Sequence, residues 1–521
     1  MFKRFLSSLL LIVTIVAIVM GGSLIYSTNP SPELVEAVSN TSSVNEARKV
    51  AKYIFMFIGD GMAAAQVNSA QIYGGSNKPN NMKLDVLNFQ NFEAVGYQTT
   101  HDSTSFAPDS ASTATALSSG YKTWSGTIGL KPTGDISGNE VENVDLKDIP
   151  KTIAEKLKEE KGMKIGIIST VTMNHATPAA YYAHVPSRND YYEIAMQMAD
   201  SNFDFFGGGT INKPKGNNND QKDAYEVLKE KGYKIVNTKE DILALDNKQG
   251  KVYAVTPVVQ DSGSMPYAID NKEGDLTLAD FVKKGIDVLD NEKGFFMMVE
   301  SGKIDWAGHA NDAKTNIMEV LAFEDAVQVA IDFAKKHPEE TLIIVTGDHE
   351  TGGMSIGQAT TGYDVAFEIL ENQKMSYVAF DELLDEMIKK NPKLKFEDVM
   401  PIITENFGLK NEYEDGEGDN PYMTLELSNS EVERLKRAFD DTMKEELPKD
   451  EESYRLYGGY NPLSVTLTHI LNNKAGIGWT SYAHTGIPVP VYATGVGAEL
   501  FNGAYDNTEI YHKLVTATGL K

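Results

Sequence analysis

The chain contains 521 residues, of which 41% are hydrophobic and 23% are charged, a composition typical of a globular protein with an extensive core. Its formal net charge of −26 disfavours nucleic-acid binding and docking on anionic lipid, because both need clustered Lys and Arg. The sequence contains no cysteine, which excludes disulfides, thiol nucleophiles and cysteine-ligated zinc. An anionic substrate stays compatible with the acidic chain, because bound cations reverse the local sign of charge.

The amino terminus has the layout of an export segment. In residues 1–26, two basic side chains precede an uncharged, mostly apolar run of about the 20 residues that span a bilayer. No clear small-residue cleavage site follows, so a cleaved signal peptide and a retained membrane anchor both stay open. Either one places the remainder outside the cytoplasm: secreted, periplasmic or tethered to the outer face of the cell membrane. Residues 27–48 are predicted to be a linker, and 49–521 the folded domain.

From residue 52 onward, apolar runs typical of buried strands alternate with helical patterns. This alternation predicts an α/β fold with a mainly parallel central sheet and helices on both faces. The clearest predicted strands are residues 53–58, 164–170, 295–299 and 341–346, and helical periodicity marks residues 147–161, 315–336 and 430–444. Residues 359–475 break the alternation and are predicted to be an insertion, serving as a cap or an oligomerisation element.

Acidic residues and histidines follow three of the predicted strands. Asp60 follows the first strand between two glycines, Glu300 follows the third, and the Asp348–His349 pair follows the fourth. Ligands of open α/β sheets bind beyond the carboxyl ends of the strands. Several oxygen and nitrogen ligands at that edge therefore predict a metal cluster.

A small-residue helix is predicted to begin at Ser110 and to end at Gly120. The free N–H groups of a helix N-terminus favour negative charge, so Ser110 there suits an anion-binding group or a nucleophile. The alternative is that Asp109 or Ser110 is only the helix cap, which is the commoner use of these residue types.

Three further segments carry chemistry. Asp305 and His309 are four residues apart, so one helical turn would place both on one face, as zinc ligands or as an ordinary ion pair. His175 and Thr177 follow a predicted strand and could reach the edge of the site. Arg188 could bind a phosphate group with two parallel hydrogen bonds, although a lone Arg is usually a solvated surface group.

Taken in order, the segments PDSASTATA, NHATP, ESGKIDWAGH, GDHETGG and AHTGIPVPVYATG resemble the alkaline phosphatase family, from about Tyr53 to Gly495. The resemblance implies hydrolysis of phosphate monoesters through a phosphoserine, at a site with two Zn²⁺ ions and one Mg²⁺ ion. It implies that Ser110 is the nucleophile, that Arg188 binds phosphate and that Asp109 orients Arg188. The implied ligands are Asp305, His309 and His484 for one zinc, Asp60, Asp348 and His349 for the second, and Asp60, Thr177 and Glu300 for magnesium.

Two positions that vary within the family leave the third metal open. His175 and Trp306 are placed by the resemblance beside the magnesium and the phosphate, as substrate-binding residues. Because imidazole suits zinc better than magnesium, the third site could hold Zn²⁺ instead. The resemblance also implies a homodimer, and it identifies the 359–475 region with the large inserted crown of some members.

The leading hypothesis is a phosphomonoesterase of broad specificity that scavenges phosphate outside the cytoplasm. One alternative is a phosphodiesterase or sulfatase of the same superfamily, which lacks the combination of Arg188, Glu300 and Thr177. A second alternative is a metal-binding surface protein that has lost catalysis, against which the intact Ser110 argues.

Overall fold

The computed structural model describes four stretches of the chain: residues 49–78, 81–131, 149–410 and 422–521. Lys49–Lys521 form one compact unit. The predicted signal or anchor segment at 1–26 and the predicted linker at 27–48 lie outside the described residues. In the four described stretches, no helix combines the length and the apolar character needed to cross a membrane.

Strands and helices alternate along most of the chain. The strands are β1 (Tyr53–Gly59), β2 (Ser76–Lys78), β3 (Asn81–Lys83), β4 (Ala94–Thr99), β5 (Lys164–Ser169), β6 (Phe205–Gly208), β7 (Lys234–Val236), β8 (Val252–Val255), β9 (Phe295–Ser301), β10 (Thr341–Gly347), β11 (Glu350–Thr351), β12 (Ser355–Ile356), β13 (Ile477–Gly478), β14 (His484–Thr485), β15 (Val489–Gly495) and β16 (Gly503–Asp506).

The α-helices are α1 (Ala64–Gly74), α2 (Ser110–Ser119), α3 (Ile153–Lys156), α4 (Ala176–Ala179), α5 (Tyr191–Asp200), α6 (Ala224–Glu230), α7 (Lys239–Leu243), α8 (Leu278–Leu289), α9 (Lys303–His309), α10 (Ala313–Ala334), α11 (Tyr377–Lys390), α12 (Phe396–Phe407), α13 (Asn429–Thr442), α14 (Glu451–Tyr457), α15 (Pro462–Ala475) and α16 (Thr508–Thr518). Short 3₁₀ turns lie at Asn88–Asn91, Ala268–Asp270, Phe367–Asn372 and Ala498–Phe501, and a π turn at Leu157–Lys161 extends α3.

Ten strands form the central sheet in the order β16-β4-β15-β10-β1-β9-β5-β6-β8-β7. Only β15 runs against the other strands of this sheet, since it is antiparallel to both β10 and β4. The predicted fold class, a mainly parallel sheet with helices on both faces, is therefore confirmed. In the register of the sheet, Gly59 at the end of β1 lies beside Gly347 of β10 and Ser301 of β9. The residues that follow these three strands are thereby delivered to one place.

The central strand β1 packs its two faces into two separate cores. Phe55 and Phe57 belong to one core, where the Phe57 ring meets the Phe323 ring of α10 edge to face at 5.8 Å. Met56 and Ile58 belong to the other core, which includes residues of α2 and α16. Burying each such side chain contributes about 1.5–3 kcal/mol, so helices are held firmly on both faces of the sheet.

The strongest predicted elements agree with the structure. The four predicted strands correspond to β1, β5, β9 and β10, and the periodicity at 315–336 and 430–444 corresponds to α10 and α13. Gly120 ends α2 with a φ of +77°, a conformation that glycine adopts without steric cost. The predicted helix at 147–161 begins only at Ile153, where Thr152 and Glu155 form a capping box; residues 147 and 148 lie outside the described stretches.

The 359–475 region supplies the helices α11 to α15. Leu384, Ile403, Leu435 and Leu467 from four of these helices are fully buried in the same core as the aromatic face of β1. Residues 411–421 of this region lie outside the described part of the chain. Its role as a cap or an oligomerisation element stays a prediction.

Candidate active site

The ends of β1 and β10 bring Asp60, Asp348 and His349 together in the interior. One ligand atom from each of these buried residues lies within 4.8 Å of the others. The His349 Nε2 atom is 3.1 Å from Asp60 Oδ1 and 3.4 Å from Asp348 Oδ2. Two carboxylates and an imidazole that converge in a fully buried place form a donor set suited to a divalent cation.

Helix α9 and strand β14 build a second cluster beside the first. Asp305 and His309 lie on one face of α9, as their spacing predicts, with Asp305 Oδ1 3.3 Å from His309 Nε2. The His484 Nε2 atom is 3.5 Å from the same carboxylate oxygen and 3.1 Å from His309 Nε2. Asp305 and His484 also converge with His349 within 4.8 Å, so the two clusters are contiguous.

Backbone carbonyls orient both imidazoles of the second cluster. The Nδ1 atom of His309 is 2.6 Å from the Tyr482 carbonyl oxygen, and that of His484 is 2.6 Å from the Pro108 carbonyl oxygen. A carbonyl can only accept a hydrogen bond, so each Nδ1 donates to its carbonyl and each Nε2 faces the cluster. The two Nε2 atoms, 3.1 Å apart and both near Asp305 Oδ1, are placed so that one cation could bind both.

A third group of oxygen atoms surrounds Asp60. The Thr177 hydroxyl on α4 donates to Asp60 Oδ2 over 3.4 Å, and the Ser169 hydroxyl donates to Glu300 Oε2. Among the described residues, Asp60 Oδ1 and Glu300 Oε1 are buried without a hydrogen-bond partner. Burial, together with nearby carboxylates, raises the pKa of Glu300 to about 8 and holds the pKa of Asp60 well above its usual value. Orphaned carboxylate oxygens of this kind fit hard cations such as Mg²⁺.

Ser110 is the first residue of α2, which begins in the middle of these clusters. Its Oγ atom lies 3.1 Å from His349 Nε2. The preceding residue, Asp109, caps the helix by accepting the Ser112 N–H at 3.1 Å. Its other carboxylate oxygen accepts Arg188 Nη1 at 2.8 Å. Burial opposes ionisation of Asp109, but the Arg188 charge and the hydrogen bonds outweigh burial and lower the Asp109 pKa.

A cavity of about 430 Å³ opens above this centre, within the usual size range of small-molecule sites. Of the predicted site residues, it is lined by Ser110, His175, Arg188, Asp305, Trp306, His309 and His484. The His175 and Trp306 rings are 5.7 Å apart, and burial lowers the pKa of His175 to about 3, which keeps that imidazole neutral. Asp60, Thr177, Glu300, Asp348 and His349 are fully buried. The structure thus brings all the predicted site residues to one centre.

Several residues at this centre were not predicted from the sequence. Thr113 donates to Asp348 Oδ2 at 3.1 Å, and Thr351 donates to Asp305 Oδ1, so both hydroxyls orient the carboxylates. Asp261, Tyr377 and Tyr460 line the cavity. Asp261 could have been proposed as a site residue from the sequence, because it lies in a turn-forming segment shortly after strand β8. Tyr377 and Tyr460 could not, because they come from the region predicted to be an insertion.

Comparisons with known proteins agree with this geometry. A family model described as alkaline phosphatase matches residues 51–520. Alkaline phosphatase 3 of Bacillus subtilis is 31% identical to the chain over 94% of this chain and 93% of its own length. The repressible alkaline phosphatase of Saccharomyces cerevisiae is 25% identical over 91% of this chain and 82% of its own.

Solved structures point the same way. The cold-active alkaline phosphatase of a psychrophilic Shewanella superimposes with a TM-score of 0.69 at 26% identity, covering 89% of this chain and 99% of its own. A variant of the alkaline phosphatase of the Antarctic bacterium TAB5, solved with Mg bound in its M3 site, gives a TM-score of 0.58 at 26% identity, covering 91% and 99%. The chain therefore belongs to the alkaline phosphatase family.

Proposed function

We propose that this chain hydrolyses phosphate monoesters by transferring the phosphoryl group to Ser110 and then to water. The observation that carries the proposal is the position of the Ser110 hydroxyl. It stands at the N-terminus of α2, 3.1 Å from His349 Nε2, in the cavity that Arg188 also lines. A nucleophile, an anion-binding helix end and a guanidinium thus face one space.

Three cations would be held by the clusters described above. Asp305, His309 and His484 fit one zinc, and Asp60, Asp348 and His349 fit a second, because imidazole and carboxylate are usual zinc ligands. Asp60, Thr177 and Glu300 offer oxygen ligands only, which favours Mg²⁺ at the third site. His175 is the N-cap of α4, the helix that carries Thr177, and its imidazole keeps Zn²⁺ open at the third site. When bound, such ions lower the pKa of a coordinated hydroxyl and stabilise the oxygen of a leaving group.

The chain's own residues bind and orient the substrate. Asp109 holds Arg188 by one nitrogen, which leaves the rest of the guanidinium fork free for two phosphoryl oxygens. The first-turn N–H groups of α2 favour negative charge at the same place. Positioning of this kind supplies most of the catalysis in phosphoryl transfer, because charge is spread over the non-bridging oxygens in the transition state.

The reaction proceeds in two displacements. In the first, Ser110 Oγ forms a bond to phosphorus and the ester P–O bond breaks. The serine proton passes to water, and the leaving alkoxide takes a proton to become an alcohol. In the second, the oxygen of a water molecule attacks phosphorus, the Oγ–P bond breaks, and Ser110 regains a proton. The products are the alcohol and inorganic phosphate.

The proposal includes the cellular setting predicted from the sequence. Residues 1–26 act as a signal peptide or anchor and 27–48 as a linker, so the domain at 49–521 works outside the cytoplasm and supplies the cell with phosphate. The 359–475 region acts as the cap or crown, and the protein forms a homodimer.

The experiment compares the zinc- and magnesium-loaded protein with its Ser110→Ala variant on p-nitrophenyl phosphate and on the bis-p-nitrophenyl diester. Ser119→Ala is the matched control, because it makes the same change at the far end of α2, where the hydroxyl donates to the Thr115 carbonyl. We expect fast monoester turnover that falls by orders of magnitude in Ser110→Ala and stays in Ser119→Ala. Preference for the diester, or undiminished turnover without Ser110, would overturn the proposal, as would a folded, metal-loaded protein without activity on either ester.

A further inference from the structure

The outer wall of the cavity consists of side chains that have no part in the bond-forming and bond-breaking steps described above. Besides the catalytic centre, the cavity is lined by Trp306, Tyr377, Tyr460 and Asp261. The rings of Tyr377 and Tyr460 meet edge to face with centroids 5.6 Å apart. The hydroxyl of Tyr377 is hydrogen-bonded to that of Tyr267 over 3.1 Å, which fixes the Tyr377 ring. Three aromatic rings and a carboxylate therefore surround the space into which the alcohol part of a substrate would extend.

The backbone around Asp261 is held in a constrained conformation. Asp261 and Ser262 have φ values of +45° and +61°, in the left-handed region that side chains other than glycine adopt at a cost. Two backbone hydrogen bonds between Gln260 and Ser264, of 3.0 and 3.1 Å, close the turn that carries them. The turn is thus rigid, and it places the Asp261 carboxylate at the cavity against an intrinsic backbone preference.

Side-chain hydrogen bonds connect this turn to the aromatic wall. Gln260 accepts from the Tyr267 N–H and donates to Asp270 Oδ2, both at 2.9 Å. Asp270 in turn accepts the Ser376 N–H at 2.9 Å. Ser376 is the N-cap of α11, whose first residue is Tyr377. The carboxylate and the ring are therefore parts of one connected frame, arranged before any ligand binds.

Asp261 forms no ion pair within the described residues, although the positive charge of Lys303 lies near it. Lys303 lies in the protein interior, with Nζ 3.5 Å from the Tyr267 ring centroid and 5.4 Å from the Trp306 ring centroid, and it donates to the Met265 carbonyl. Arg188, the other cation at the cavity, is paired with Asp109. Across the described stretches of the chain, no Lys, Arg or His forms an ion pair with Asp261. A carboxylate without an ion-pair partner at the mouth of an anion-binding site repels substrates with additional negative charge.

We propose that Asp261, Trp306, Tyr377 and Tyr460 form a subsite for a cationic alcohol. The preferred substrates are then phosphate monoesters whose alcohol carries a quaternary ammonium group, of which phosphocholine is the simplest probe. Aromatic faces attract such cations through their negative face, and a carboxylate adds direct attraction. This inference rests on the proposed hydrolysis of phosphate monoesters and narrows its substrate class.

The test compares phosphocholine with 3,3-dimethylbutyl phosphate, which has the same shape without the positive charge. We expect the metal-loaded protein to prefer phosphocholine by about tenfold in kcat/KM. In Asp261→Asn, which keeps the size of the side chain, this preference should fall several-fold. Tyr460→Leu should also reduce it, whereas Tyr460→Phe, which keeps the ring, should retain it. Asp246→Asn, at a part-exposed Asp outside the cavity, is the control and should keep the wild-type preference.

The outcomes separate the subsite from the underlying reaction. Equal kcat/KM values for the two esters would overturn the subsite while leaving the hydrolysis intact. An unchanged preference in Asp261→Asn would also overturn it. Absence of turnover with both esters would overturn the proposed hydrolysis instead. Binding of choline to the Ser110→Ala protein, measured by calorimetry, gives a readout without catalysis, and we expect it to weaken in Asp261→Asn.

Discussion

Asp109 joins two functions that one substitution can separate. Its Oδ1 atom accepts N–H groups from Ser112 and Gly126 at 3.1 and 2.9 Å, and its Oδ2 atom accepts Arg188 at 2.8 Å. An asparagine keeps the carbonyl oxygen for the helix cap, because Asn and Asp are equally good N-caps. Its amide nitrogen cannot accept the Arg188 N–H, so Asp109→Asn removes the orientation of Arg188 and leaves the cap.

The expected loss follows from the geometry of that ion pair. A hydrogen bond between charged groups contributes about 1.5–3 kcal/mol, and this pair belongs at the lower end because its side chains are 23% and 21% exposed. A loss of about 1.5–2 kcal/mol corresponds to a decrease of about 10- to 30-fold in kcat/KM on p-nitrophenyl phosphate. Inhibition by inorganic phosphate should weaken by a similar factor.

Two variants complete this experiment. Asp109→Ala should lose as much kcat/KM as Asp109→Asn, and about 1 kcal/mol more in the free energy of unfolding, because it also removes the cap. Asp450→Asn changes a matched cap, at α14, that holds no arginine, so its kcat/KM should stay at the wild-type value. Asp109→Asn with kcat/KM within about twofold of wild type would refute the reasoning that Asp109 orients Arg188.

Three further outcomes are expected. Chelation should lower the thermal midpoint of unfolding by about 5 °C or more, because the buried carboxylates lose the cations that neutralise them. Adding zinc should restore the midpoint. A midpoint that chelation leaves unchanged would contradict the metal clusters. Gly347→Ala should weaken metal binding measured by titration. An added Cβ would lie 2.1 Å from the Met62 carbonyl oxygen and would push the ends of β10 and β1 apart. Metal affinity equal to that of the wild type would contradict this prediction. His184→Gln should destabilise most below about pH 6 and least at high pH in urea unfolding. Burial lowers the His184 pKa, but hydrogen bonds to Glu155 and Gly129 outweigh burial and raise the folded-state pKa. The stabilisation is therefore lost as pH rises through the folded-state pKa. A difference in unfolding free energy between wild type and variant that does not change with pH would contradict the pairing of His184 with Glu155.

Much of the fold was predictable because its central strands are buried on both faces. Continuous apolar runs such as that of β1 have few alternatives when they recur between helical patterns. The position of Asp60 and Asp348 just after such strands, and of Glu300 at the end of another, was enough to predict convergence at one edge of the sheet. The helical spacing of Asp305 and His309 was likewise sufficient, because one turn of α9 determines their separation.

The remainder depends on contacts between residues far apart in the chain. The local sequence left either Asp109 or Ser110 as the helix cap, and only the family resemblance implied the contact of Asp109 with Arg188, because that contact joins residues far apart in the chain. The carbonyls of Tyr482 and Pro108, which orient the imidazoles of His309 and His484, cannot be recognised from the sequence. Tyr377 reaches the cavity from the 359–475 region, where composition gave no indication of a contact with the site.

The most direct test of the central claim is to locate the phosphoryl group on the protein. The metal-loaded enzyme is mixed with p-nitrophenyl phosphate, quenched in acid within one turnover, digested, and mapped by mass spectrometry. The proposed mechanism predicts a phosphorylated peptide with the modification on Ser110, unchanged in a Ser112→Ala variant and absent in Ser110→Ala. Turnover without any phosphorylated peptide, or with the phosphoryl group on another residue, would contradict it.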